Sequence, residues 1–111
     1  MELQDQLRLQ RIKHIISSYE LEGNEGVFFH QRLDVLWHLY PSPWLELAFA
    51  ETLVHNWSHP PMERGLQFLV QVDNQLQKWA EHGLTSVITP EQFQHITGLD
   101  PQSVFEILSI L

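Results

Sequence analysis

The chain has 111 residues, 43% of them hydrophobic, and 6 basic against 14 acidic side chains give it a formal net charge of −8. That apolar share belongs to a folded domain, not to an acidic disordered tail, and one domain of this length is expected to have a radius of gyration of roughly 13 Å. The absence of cysteine excludes a disulfide scaffold, a thiol nucleophile, an iron–sulfur centre and cysteine-ligated zinc, and no run approaches the ~18 apolar residues that span a bilayer.

The opening stretch, MELQDQLRLQRIKH, has no apolar signal core and is acidic before it is basic, so the expectation is an untargeted, cytoplasmic protein. From Leu9 the apolar residues Leu9, Ile12, Ile15, Ile16 and Tyr19 follow the 3.6-residue repeat of a helix. A second helix is expected over 25–40, apolar on a broad face made of Phe28, Phe29, Leu33, Leu36, Trp37, Leu39 and Tyr40. A third, over 43–57, carries Leu45, Leu47, Phe49, Ala50, Leu53, Val54 and Trp57. The clearest amphipathic pattern covers 61–82, with Met62, Leu66, Leu69, Val72, Leu76, Trp79 and Ala80 on one face and Glu63, Gln67, Gln71, Asn74, Lys78 and Glu81 on the other. Two short helices, over 90–96 and 101–110, close the chain.

Helix boundaries are marked locally. Ser42-Pro43, Thr89-Pro90 and Asp100-Pro101 each place an oxygen acceptor before a proline, whose missing N–H costs nothing in a first helical turn. Gln92, three residues after Thr89, completes a capping box. Gly23, Gly83 and Gly98 are expected to supply the left-handed conformation that ends a helix, and Tyr40-Pro41 and His59-Pro60-Pro61 to stop helices by removing donors. Residues 85–89 are the sole strand candidate and too isolated to build a sheet. The fold class is therefore all-α, an irregular bundle of about four longer helices in one domain spanning 1–111, with a C-terminal hairpin over 89–111. Short connections favour antiparallel neighbours.

That hairpin resembles a helix-turn-helix. Phe93, Leu99, Val104 and Ile107 stand at its core positions and Gly98 at its turn, although Gln94 replaces the small residue usual where the helices touch. From 82 to 111 there are three acids and no lysine or arginine, so the charge sign opposes contact with a polyanion. Basic charge gathers instead on the first helix, as Arg8, Arg11 and Lys13. Residues 1–19 carry +1 and the remainder −9, an asymmetry that lets this helix dock on an acidic partner or on a second copy. Leu3 and Leu7 fall off its main seam and join the partner-contact candidates, as does Trp44, since exposed tryptophans are favoured anchors.

Two stripes of metal-ligating type occur at i, i+4, i+8: His30, Asp34 and His38, and Glu51, His55 and His59. Such spacing stacks side chains on one helix face, but Glu-x-x-His and His-Glu-x-x-His are both absent and both stripes fall on the polar sides of their helices. Nucleophile elbows, phosphate loops and dinucleotide fingerprints are missing too. Gly65 is expected on the apolar face of the long helix, admitting a neighbouring helix closely. The expected function is a non-catalytic protein–protein interaction module, a small adaptor, assembly factor or regulator that binds another protein or its own copy and needs no cofactor. The alternatives are a helix-turn-helix transcription regulator and a metal-binding helical bundle.

Overall fold

The computed structural model describes residues 3–110, with side chains through residue 106. Six helices follow one another: α1 (Leu3–Tyr19), α2 (Gly26–Leu39), α3 (Ser42–Ser58), α4 (Leu66–His82), α5 (Pro90–Thr97) and α6 (Gln102–Ile110). Three-quarters of the chain is helical and no strand occurs among the described residues. The radius of gyration is 13.1 Å.

The core is organised around α3. Leu45, Leu47, Ala48, Phe49, Ala50 and Leu53 are all buried; a helix apolar on every side must be surrounded, and α3 packs against α1, α2, α4, α5 and α6. Helix directions follow from paired contacts. Arg11 meets Glu46 and Tyr19 meets Trp57, so α1 and α3 run parallel. Glu25 bonds Leu66 and Arg32 bonds Asp73, so α2 and α4 run parallel to each other. Trp44 lies against Trp79 and Asn56 against Gln71, so α3 and α4 are antiparallel. Thr52 and Asn56, buried on α3, are satisfied in place. The Thr52 hydroxyl donates to the Ala48 carbonyl at 2.7 Å, and Asn56 Nδ2 donates to Thr52 O and Gln71 Oε1, both at 2.8 Å. Asn56 Oδ1 accepts from the Glu63 N–H at 2.9 Å, fixing the segment that leads into α4.

Several local expectations need correction. α4 begins at Leu66, not at residue 61. Pro60 and Pro61 supply no N–H, and residues 61–65 form an irregular link, so Met62 packs on the core from outside the helix. Gly65 is the N-cap of α4, with φ 68° and ψ −146°. Its N–H donates to Leu21 O at 2.6 Å, and a Cβ there would stand 2.1 Å from Glu25 Oε1, so what it admits is a carboxylate rather than a helix. Ser42 does not cap α3. Extended Pro41 takes the N-cap position, which puts Ser42 inside the helix with a buried Oγ that has no partner. α1 ends one turn before Gly23: Glu20 takes φ 52°, its N–H bonds Ser17 O and the Leu21 N–H bonds Ile16 O at 3.0 Å. That is a Schellman closure, with Leu21 buried beneath it. Gly83 ends α4 with ψ 156°, outside the left-handed region. On α2 the buried face is narrower than the sequence suggested, because Phe28 and Leu39 are exposed. Val54 and Trp57 of α3 and Ala80 of α4 also face outward.

The terminal hairpin matches its pattern more closely. Thr89 Oγ1 accepts from the Gln92 N–H at 3.2 Å, and Gln92 Oε1 accepts from the Thr89 N–H at 2.9 Å, closing the capping box. Gly98 is left-handed. Phe93 and Val104 are buried and Leu99 packs on the core, while the Ile107 side chain lies outside the described residues. The Tyr19 hydroxyl donates to Ile96 O, pinning the end of α1 to the hairpin.

Candidate functional site

α1, α3 and α6 enclose a groove of about 300 Å³. Its α1 wall is Gln4, Leu7, Arg8 and Arg11, its floor is Ser42, Pro43 and Glu46 of α3, and its far wall comes from α6. The parallel course of α1 and α3 brings the two helix beginnings level, which is why residues near 8 and near 46 share one space.

The floor is an ion pair between buried Glu46 and partly exposed Arg11. Glu46 is 2% exposed, and its Oε1 accepts from Arg11 Nε and stands 3.0 Å from Arg11 Nη2. Arg11 Nη2 also donates to Asp100 O at 2.9 Å, the turn that begins α6. Burial pushes the Glu46 carboxyl up to about 7, against the opposing pull of Arg11 and, more weakly, of Arg8. Desolvation outweighs attraction here because the carboxylate has lost nearly all of its water. Arg8 makes no hydrogen bond or ion pair among the described residues, Leu7 stands 52% exposed at the lip, and Leu3, one turn earlier on α1, is 71% exposed. The groove thus offers the apolar side chain of Leu7 and a cation, Arg8, that is unpaired among the described residues.

Three sequence candidates, Leu7, Arg8 and Arg11, line this groove, and Leu3 lies one turn before Leu7 on α1. Lys13 stands apart. It lines a separate depression with Arg64, His30, Glu20 and Glu22. Trp44 is half-buried, its ring edge-on to Trp79 with centroids 6.2 Å apart, so it packs on the core. Glu46 was missed by the sequence reading, although a signal existed: it is the one acid in the otherwise apolar run from 43 to 50.

The histidine stripes are divided among local partners. His30 Nε2 pairs with Glu22 Oε2 at 2.8 Å. His38 Nδ1 bonds Asp34 O at 2.8 Å and stands 3.6 Å from the Asp34 carboxylate. His55 and His59 stack with ring centroids 4.4 Å apart. Glu51, expected on a polar face, is half-buried. Its Oε1 accepts from the Val87 N–H at 3.0 Å, and its pKa is raised chiefly by burial. No three His, Asp or Glu residues among the described residues converge to hold a metal ion. On the terminal hairpin, Gln102, Ser103 and Glu106 face outward, with no cation among them to meet a phosphate. No described helix is long and apolar enough to cross a membrane. The chain matches no protein-family model, no curated protein and no solved structure.

Proposed function

We propose that this chain is a non-catalytic interaction module that holds a partner polypeptide along the α1/α3/α6 groove. The observation that carries this reading is the exposure of Leu7, with exposed Leu3 one turn before it, beside an Arg8 that makes no hydrogen bond or ion pair among the described residues, next to the Arg11–Glu46 pair. Exposed leucines one turn apart are a ready contact for an apolar side chain, and a free guanidinium selects a carboxylate. The fitting partner is a segment that presents both. Glu46 favours binding over proton transfer: its acidity suits acid–base chemistry, yet its carboxyl is 2% exposed and tied to Arg11 at the groove floor. Cytoplasmic placement belongs to the same proposal.

The test is capture of partners from the native cell by the full chain and by a Leu7→Glu, Arg8→Glu variant. The expected result is a polypeptide retained by the first and lost from the second, with helical circular dichroism unchanged. Equal recovery by both chains, or recovery by neither, refutes the reading.

A further inference from the structure

A second apolar surface lies on α2 and α4. Phe28 and Leu39 are 62% and 65% exposed, and Val35 is exposed between them. With Arg32 they occupy positions i, i+4, i+7 and i+11, a single stripe on α2. On α4 exposed Val70 shares a stripe with Asp73 and Gln77. The two stripes border one seam. Arg32 Nη2 donates to Asp73 Oδ2 at 3.1 Å, and Gln77 Nε2 donates to the same oxygen at 3.1 Å. Because α2 and α4 are parallel and in level, Phe28 stands at the height of Val70, Arg32 at that of Asp73, and Leu39 at that of Ala80.

We infer that the chain forms a homodimer through this face, with α2 of each copy lying over α4 of the other about a two-fold axis that runs along the helices. Symmetric dimers need a self-complementary patch, and the layout selects the axis. Rotation about the helix direction sets Phe28 on the second copy's Val70 and Arg32 on the second copy's Asp73. Apolar groups meet apolar groups, and each cation gains a second anion. Arg32 uses one of its five donors in the Asp73 contact and is half-exposed, and the Asp73 side chain keeps 14% of its surface open with Oδ2 taken by Arg32 and Gln77, so the second guanidinium is offered the Oδ1 edge. The other two-fold, across the helices, lays α2 on its own copy and sets Arg32 against Arg32, with like charges opposed at the centre. This dimer is independent of the groove and would leave α1 free for its own partner.

Light scattering of the full chain over a concentration series should give twice the 13.1 kDa of one chain, falling to 13.1 kDa in a Phe28→Glu, Leu39→Glu variant of unchanged helicity. Arg32→Asp and Asp73→Arg should each be monomeric alone and dimeric when mixed. The natural chain has no cysteine, so engineered thiols report the axis directly. Phe28→Cys mixed with Val70→Cys should cross-link under mild oxidation, and Phe28→Cys mixed with Leu39→Cys should not. A monomer at every concentration, a dimer indifferent to Phe28→Glu, or cross-linking of 28 to 39 overturns the dimer. None of these outcomes touches the α1/α3/α6 groove, whose own variant leaves this face intact.

Discussion

Arg11 and Glu46 stand 3.0 Å apart although 35 residues separate them in the chain, and the same guanidinium donates to the Asp100 carbonyl at 2.9 Å. One side chain of α1 thereby fixes α3 and the turn that opens α6. An ion pair with a buried carboxylate adds little net stability, since desolvation offsets attraction, but it penalises any arrangement that leaves either charge alone.

The pH dependence of stability should carry the mark of Glu46. Its carboxyl is raised from 4.5 to about 7 in the folded chain. Between those values the folded state holds a proton that the unfolded state has released, so stability falls as pH rises. The contribution is fully present below 4.5 and lost above 7, a change on the order of 3 kcal/mol. Glu51, also raised by burial, acts in the same direction. Urea denaturation of the natural chain from pH 5 to pH 8 should show this decline, and Glu46→Gln, whose amide oxygen still accepts from Arg11, should flatten it. A slope unchanged by the substitution would mean that Glu46 is ionised throughout.

Arg11→Ala should destabilise the chain by about 3 kcal/mol at pH 8, the cost of stranding a buried carboxylate. The loss should shrink near pH 5, where Glu46 is protonated in the folded chain and needs no counter-ion. An equal loss at both values would assign Arg11 a packing role only. The comparison is made by urea denaturation of the two chains at each pH.

The helices were legible in the sequence because their signals are local. The seam at Ile12, Ile15 and Ile16 and the capping box at Thr89 and Gln92 each lie within one or two turns. Errors arose where a neighbour competed for the same role. Pro41 displaced Ser42 from the N-cap of α3, Glu20 closed α1 before Gly23 could, and Pro60-Pro61 delayed α4 to Leu66. The groove was legible only as parts. Leu7, Arg8 and Arg11 follow from charge and periodicity, but their meeting with Glu46 depends on α1 and α3 running parallel, which no local pattern encodes. The level match of Arg32 with Asp73 is hidden for the same reason.

Thr89→Ala should cost about 1 kcal/mol, the usual value of an N-cap hydroxyl, because it frees the Gln92 N–H, while the reciprocal bond from the Thr89 N–H to Gln92 Oε1 uses no atom of the threonine side chain. Thr89→Ser should recover most of that loss, since it restores the oxygen. The midpoint of urea unfolding reads both. Failure of serine to rescue would place the effect in the threonine methyl instead of the cap.

Two glycines with similar φ should respond very differently to alanine. Gly98 lies at φ 73° and ψ 9°, the left-handed helical region, and an added Cβ would meet only His14 Nε2 at 3.8 Å. Gly98→Ala should therefore cost about 1 kcal/mol, the ordinary strain of a side chain in that conformation. Gly65 lies at φ 68° and ψ −146°, a region almost confined to glycine. A Cβ there would stand 2.1 Å from the Glu25 Oε1 that accepts the Leu66 N–H at 3.2 Å. The carboxylate must swing away, which frees the Leu66 N–H at the start of α4. Strain and the lost cap together predict about 3 kcal/mol for Gly65→Ala. Parallel urea titrations of the two variants decide the matter: a Gly65→Ala chain no less stable than Gly98→Ala would show that Glu25 does not hold the start of α4.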